Sequence, residues 1–167
     1  DSKSLISHIV SEMNLDGKLY SSNMIRNRIS SAKSLLISPA GYQKDAELTS
    51  QDKINNVSHI GKIYERYAQR CKAAGAMDFD DLLYNIFVLF HRNPDNVLEK
   101  YQQKFQYLLV DEFQDTNFLQ YAILKKLVKY QGSGENICIV GDDAQSIYSF
   151  RGATIQNILQ FQKDYDD

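Results

Sequence analysis

The stretch YLLVDEFQDTN, residues 107–117, decides the fold class of the second half of the chain. Its four consecutive apolar residues, Tyr107 to Val110, are typical of a strand that is buried on both faces of a parallel sheet. The run leads directly into acidic and polar residues, and ligands of open parallel sheets bind at the carboxyl ends of the strands. A strand followed by Asp111 and Glu112 therefore predicts a ligand site as well as a sheet.

A second stretch, ICIVGDDAQSIYSFRGA at residues 137–153, repeats this arrangement. Its apolar run, Ile137 to Val140, predicts another strand that enters a polar loop. The apolar face of residues 118–130 predicts a helix between the two strands, and Gly132 to Gly134 provide a turn. Strand, helix and strand in this order form a right-handed crossover unit. We expect a last helix from Ala153 to about Phe161.

The sequence before these strands has the periodicity of helices. Apolar stripes predict helices over residues 5–13 and 24–36, a break at residues 38–41, and one long helix over residues 54–71 that Gly75 ends. Asp78 and Asp81 can cap a following helix, and Asn93 with Pro94 can begin a short one. The predicted fold class is therefore mixed, with a mainly helical part at residues 1–95 and an α/β piece at residues 96–167.

Composition narrows the class of protein further. Apolar residues make up 43% of the 167-residue chain, which is enough for a buried core. The sequence contains neither a membrane span nor a signal peptide, so we expect a soluble, cytoplasmic protein. Cys71 and Cys138 lie in apolar patterns without metal-ligand spacing, which predicts buried thiols in a reducing compartment.

Residues 1–77 carry a net charge of +4 and the remainder −6. This asymmetry fits an anionic partner for the first part, although a solvated helical surface explains it equally well.

The residues after the first strand can bind a metal ion and activate water. Asp111 can orient Mg²⁺ directly or through water, and the neighbouring Glu112 can accept a proton from an attacking water. The alternative is that this Asp-Glu pair caps a helix or lies in a solvated loop.

The residues after the second strand add possible ligand contacts. Gln145 can hydrogen-bond a terminal phosphate or the attacking water. Tyr148 and Phe150 offer rings on which unpaired bases can stack, and Arg151 offers a guanidinium for a backbone phosphate. Alternatively, the two aromatic side chains pack into a core.

Together, LLVDEFQDTN and IVGDDAQSIYSFRGA resemble motifs II and III of the UvrD, Rep and PcrA group of superfamily 1 DNA helicases. The upstream segment DFDDLL, residues 78–83, resembles the sequence that leads from the helical insertion of these enzymes back into the motor. The resemblance covers about residues 45–163. It implies that residues 1–95 are a subdomain 1B and that residues 96–167 are part of the RecA-like subdomain 1A, a P-loop NTPase sheet.

This resemblance implies a role for each motif residue. Asp111 would bind Mg²⁺, Glu112 would activate water, and Gln145 would contact the terminal phosphate of ATP. Single-stranded DNA would contact the remaining motif residues, which are Tyr148, Phe150 and Arg151. The family usually has Trp where this chain has Phe150. The phenyl ring keeps a face for stacking, but it has a smaller contact area than Trp and lacks the indole N–H donor. The family also implies movement 3′ to 5′, and partners that include duplex DNA junctions and the remaining helicase domains.

The sequence contains no GxxxxGK[ST] loop to hold the phosphates of ATP. Its abrupt first residue and its final DYDD are typical of a piece of a longer protein. We therefore expect the chain alone to hydrolyse ATP negligibly, whereas its parent is an ATP-dependent DNA helicase. Two other hypotheses remain: a non-catalytic module that binds DNA or protein, and a metal-dependent nuclease that uses Asp111, Glu112 and Asp142. The nuclease is the weaker one, because no lysine or histidine is near these loops in sequence.

Overall fold

The computed structural model of the protein describes residues 1–142 and 156–165. The chain forms two compact units, Asp1–Leu82 and Leu83–Asp167. The division falls inside one helix. The boundary that the resemblance places at residues 95 and 96 stays a prediction.

The first unit is built from helices. They are α1 (Ser2–Glu12), α2 (Ser22–Ser34), α3 (Pro39–Lys44), α4 (Ala46–Ile54), α5 (Ile60–Ala73) and the first residues of α6 (Phe79–Arg92). Helices α1, α2, α3 and α5 surround a core in which Ile6, Ile25 and Ile60 are fully buried. The apolar stripes of the sequence therefore predicted α1, α2 and the core they bury.

Two boundaries in this unit differ from the prediction. The break at residues 38–41 begins helix α3, because Pro39 fits the first helical turn and the Ser38 hydroxyl accepts a hydrogen bond from the Gly41 amide. The long helix over residues 54–71 is wrong, since α4 ends at Ile54 and α5 begins at Ile60. Asn56 adopts a positive φ of 58° between them, a conformation that asparagine tolerates better than most residues.

The connection from α5 to α6 follows the prediction closely. Gly75 has a φ of +59° and ends α5. Asp78 and Asp81 then form a reciprocal cap: the Asp81 amide donates to Asp78 Oδ1 at 2.8 Å, and the Asp78 amide donates to Asp81 Oδ2 at 3.1 Å. Each carboxylate thus satisfies an amide at the start of α6 that has no partner within the helix.

The same two carboxylates hold a buried lysine. Lys33 of α2 is 3% exposed, and its ammonium lies 2.7 Å from Asp78 Oδ2 and 2.6 Å from Asp81 Oδ1. The Tyr67 hydroxyl of α5 also donates to Asp78 Oδ2, at 2.8 Å. This Lys33 cluster ties α2, α5 and the start of α6 together.

The second unit combines helices with two short strands. Its elements are the rest of α6, a 3-10 turn at Pro94–Asn96, α7 (Val97–Lys104), β1 (Leu108–Val110), a 3-10 turn at Phe113–Asp115, α8 (Phe118–Val128), β2 (Ile137–Ile139) and α9 (Gln156–Asp164). The strands pair in parallel, with Leu109 opposite Cys138. The predicted strand, helix and parallel strand are therefore confirmed, while a RecA-like sheet stays a prediction.

The strands are not buried on both faces as predicted. Leu109 is 79% exposed and its neighbour Cys138 is exposed, because the face to which both belong is left uncovered by the described residues. The prediction of two buried thiols is therefore wrong for Cys138, and Cys71 is half-buried. Among residues 1–142 and 156–165, no helix is long and apolar enough to cross a membrane.

Candidate active site

The loops that follow β1 and β2 lie side by side. The Val140 amide donates to the Val110 carbonyl at 2.8 Å, and the Phe113 amide donates to the Val140 carbonyl at 2.9 Å. These bonds extend the pairing beyond the two strands. Asp111, Glu112 and Asp142 consequently lie at the same edge of the sheet, as the sequence predicted.

The predicted Mg²⁺ and base residues occupy a tight turn. Asp111 and Glu112 are exposed, and the Glu112 amide donates to Asp111 Oδ1 at 2.9 Å. Glu112 has a positive φ of 51°, which non-glycine residues adopt seldom and which costs free energy. The Asp115 amide closes the 3-10 turn by donating to the Glu112 carbonyl at 2.9 Å.

Gln114 connects this turn to the other loop. It is buried, with 2% exposed, although Glu112 and Asp115 close to it in sequence are exposed. Its Nε2 donates to Glu112 Oε2 at 2.6 Å, and its Oε1 accepts the Asp142 amide at 3.0 Å. The burial of Gln114 could not be predicted, because nothing in the local sequence pattern distinguishes a buried glutamine from a solvated one.

Gly141 permits this connection. A Cβ atom at this position would lie 2.5 Å from Gln114 Oε1 and 3.2 Å from the amide nitrogens of Phe113 and Gln114. A side chain here would therefore displace the glutamine amide or separate the two loops. The glycine between the apolar run and Asp142 is a recognisable signal of close backbone approach.

The turn is anchored from behind by packing and hydrogen bonds. Phe113 is 1% exposed and makes edge-on contacts with Tyr121 and Phe161, each at 5.7 Å between ring centroids. The Thr116 hydroxyl donates to the Phe113 carbonyl at 2.7 Å. Asn117 caps α8, where its side chain accepts the Gln120 amide at 2.9 Å. Rigid elements thus hold both ends of the acidic turn.

A hydrogen bond between Tyr121 and Asp164 holds helix α8, which packs behind the turn. Burial, followed by the hydrogen bond to Asp164, raises the pKa of Tyr121, so its hydroxyl remains a donor to Asp164 Oδ2 at 2.7 Å. Burial opposes ionisation of Asp164, but hydrogen bonds from Tyr121, Gln160 and Lys125 outweigh it and lower the Asp164 pKa. This contact joins α8 to α9 directly behind Phe113.

The acidic residues of the turn remain available for a cation. None of the lysines, arginines and histidines that the structure describes forms an ion pair with Asp111 or Glu112. Mg²⁺ usually takes one or two carboxylates from the protein, with water and substrate phosphates completing its shell. An exposed carboxylate on rigid backbone, such as Asp111, fits that requirement.

The nuclease hypothesis finds no support in the same residues. Within the part of the chain that the structure describes, no three carboxylate, histidine or cysteine groups lie close enough to hold a metal ion together. Asp111, Glu112 and Asp142 therefore do not form the three-carboxylate centre that this hypothesis needs.

The other predicted site residues lie outside the described residues. They are Gln145, Tyr148, Phe150 and Arg151, and their predicted contacts with phosphate and DNA stay predictions. In the sequence, they follow Asp142.

Comparison with known proteins assigns the family. Residues 1–166 match the UvrD/REP helicase N-terminal domain. The chain belongs to that family. Over its full length, the chain is 43% identical to the ATP-dependent DNA helicase PcrA of Staphylococcus aureus and 40% identical to the ATP-dependent DNA helicase UvrD1 of Mycobacterium bovis. This UvrD/REP domain spans 22% of the length of each of these relatives.

Proposed function

We propose that the chain is part of a longer ATP-dependent DNA helicase that couples Mg-ATP hydrolysis to movement along single-stranded DNA, 3′ to 5′. One observation carries the proposal: an exposed Asp-Glu pair ends a parallel strand and is hydrogen-bonded through Gln114 to the loop after the next strand. Family membership and the two ATP-dependent relatives support it. In this proposal, residues 1–95 are subdomain 1B and residues 96–167 are part of subdomain 1A.

The two exposed carboxylates have different roles in the proposed reaction. Asp111 would hold Mg²⁺, which when bound would supply positive charge that stabilises the phosphate oxygens. Glu112 takes a proton from the water that attacks the terminal phosphorus, and the bond from that phosphorus to the ADP oxygen breaks. Glu112 suits this role because it is exposed to solvent while its carboxylate is held by the buried Gln114 amide.

The residues that follow Asp142 in the sequence link this chemistry to DNA in the proposed mechanism. Gln145 contacts the terminal phosphate, and Tyr148, Phe150 and Arg151 bind single-stranded DNA by stacking and phosphate contact. The phosphate-binding loop and a second motor domain belong to the remainder of the protein, so the chain alone hydrolyses ATP negligibly. Duplex junctions are the further DNA partner.

Glutamate substitutions in the full-length protein test the proposal. ATP hydrolysis is measured with and without single-stranded DNA for the unmutated protein, Glu112→Gln and Glu135→Gln. Glu135 is the matched control, because it is also exposed and has a positive φ of 46°, but it precedes β2 at the opposite end of the sheet. We expect DNA-stimulated hydrolysis that falls about 100-fold in Glu112→Gln and is unchanged in Glu135→Gln, as for loss of a general base.

The opposite result would favour the non-catalytic binding module. In that case, hydrolysis would be absent or indifferent to Glu112, and DNA affinity would depend on salt but not on Mg-ATP. The positive net charge of residues 1–77 is the observation that favours this second candidate.

A further inference from the structure

We propose that Gln114 is a positioning residue that fixes the carboxylate of Glu112 and makes its position depend on the loop after β2. This inference rests on the proposed function of Glu112 as the base. It adds to that function a buried residue that acts through another side chain.

The hydrogen bonds of Gln114 support this role. Both ends of its amide are used, the nitrogen toward Glu112 at 2.6 Å and the oxygen toward the Asp142 amide at 3.0 Å. Since Gln114 is almost completely buried, packing restricts its rotamer, and it links the two loops at a fixed length.

Glu112 needs such a restraint. An exposed glutamate has three rotatable side-chain bonds, and ordering them costs conformational entropy. A base must nevertheless lie within hydrogen-bond distance of the proton it accepts. The bond from Gln114 selects one carboxylate position before substrate binds, while the exposure of Glu112 leaves space for water.

The hydrogen bond from the Asp142 amide to Gln114 links the position of Glu112 to the backbone after β2. Asp142 is the residue at which the chain enters the segment that contains Gln145. A displacement of the Asp142 backbone must therefore stretch its bond to Gln114 or move Gln114, and with it Glu112. The close contact at Gly141, where a Cβ would lie 2.5 Å from Gln114 Oε1, leaves little room for compensation.

A double-mutant cycle in the full-length protein tests the inference. Gln114→Met keeps the length of the side chain and removes both hydrogen bonds. At saturating ATP and single-stranded DNA, we expect kcat to fall about 10-fold with little change in KM, as for loss of an interaction that acts in the transition state. Adding Gln114→Met to Glu112→Gln should change kcat less than twofold further, because the residue it positions is already inactive.

A glycine substitution provides a test that retains Gln114. Gly141→Ala should displace the Gln114 amide and lower kcat to a similar extent. The control is Gly17→Ala, since a Cβ at Gly17 would meet nothing within 4 Å. Melting temperature and ATP affinity are measured for every variant, so that a variant that fails to fold is recognised. If Gln114→Met or Gly141→Ala fails to fold, the kcat of the other variant tests the role of Gln114.

The possible outcomes separate the inference from the function it rests on. Loss of hydrolysis in Glu112→Gln with normal kcat in folded Gln114→Met, or with fully additive effects, would overturn the role of Gln114 alone. Normal hydrolysis in Glu112→Gln would overturn the proposed function and the role of Gln114 together.

Discussion

Two acid-rich segments of this chain, DFDD at residues 78–81 and DEFQD at residues 111–115, look alike in sequence and differ in structure. Asp78 and Asp81 surround the buried ammonium of Lys33 and cap a helix. Asp111 and Glu112 are exposed and have no ion pair with any cation in the described residues. The first segment uses its charge to hold helices together, whereas the second keeps its charge available for a ligand.

The largest effect on stability is expected from removing the buried cation. Lys33→Met leaves the Asp78 and Asp81 carboxylates, whose side chains are 17% and 18% exposed, without their partner. We expect local stability to fall by about 3 kcal/mol, near the lower end for breaking a buried pair, because these carboxylates retain some solvent. Hydrogen exchange of α2 and α5 amides in the full-length protein would then be about 100-fold less protected.

The control replaces the whole cluster. Lys33→Met combined with Asp78→Asn and Asp81→Asn removes the charges together and should recover most of the lost protection. A loss below about 1 kcal/mol in Lys33→Met alone would show that this cluster does not hold the helices together, because surface pairs contribute that little.

Acid should weaken the same contact. Burial opposes ionisation of Asp78, but the hydrogen bond and charge of Lys33 outweigh it and place the Asp78 pKa below its ordinary value. A lowered folded-state pKa contributes stability above the unfolded-state value, near pH 4, and loses it as the pH falls through the folded-state value. Protection factors of α2 should therefore fall below about pH 4, and less steeply in Asp78→Asn. Equal acid sensitivity in both proteins would contradict this assignment.

A smaller effect is expected from the cap beside the candidate site. Asn117→Ala removes the acceptor for the Gln120 amide at the start of α8 and should reduce protection of that helix by about 1 kcal/mol. Asn117→Asp, which keeps the acceptor, is the matched control. If both variants behaved alike, the cap would not contribute to holding the acidic turn.

The smallest effect is expected at Asp111. Because this carboxylate is exposed and has no described ion pair, Asp111→Asn should change stability by no more than about 0.5 kcal/mol. A melting temperature several degrees lower would remove the distinction between the two segments.

The sequence predicted those parts of the fold whose signals are local. The apolar stripe of α1 and α2, the reciprocal cap at Asp78 and the strands at residues 107–110 and 137–140 all depend on neighbouring residues. The division between α4 and α5 could not be predicted, because Ile54, Val57 and Ile60 continue the helical spacing across it. Ile54 is 80% exposed, so its apolar character was not evidence of a core position.

The position of the candidate residues Asp111 and Glu112 could be predicted from the sequence, whereas the contacts that hold them could not. Asp111 and Glu112 were found because a carboxylate after an apolar run has a chemical meaning in a parallel sheet. Gln114 was missed because its backbone partner, the Asp142 amide, is 28 residues away in sequence. In the other unit, the burial of Lys33 was missed for the same reason, since Asp78 is 45 residues away. The exposed face of β1 was also missed, because the residues that cover a strand are distant from it in sequence and its own pattern does not reveal them.

The most direct test is the Mg²⁺ dependence of ATP hydrolysis by the full-length Asp111→Asn protein with saturating single-stranded DNA, alongside its melting temperature. If Asp111 acts on Mg²⁺ and not on the fold, half-maximal hydrolysis should need at least about 10-fold more Mg²⁺, the loss typical of disturbed metal sites, at an unchanged melting temperature. An unchanged Mg²⁺ curve in a folded protein would contradict the assignment of the exposed carboxylates to the nucleotide site.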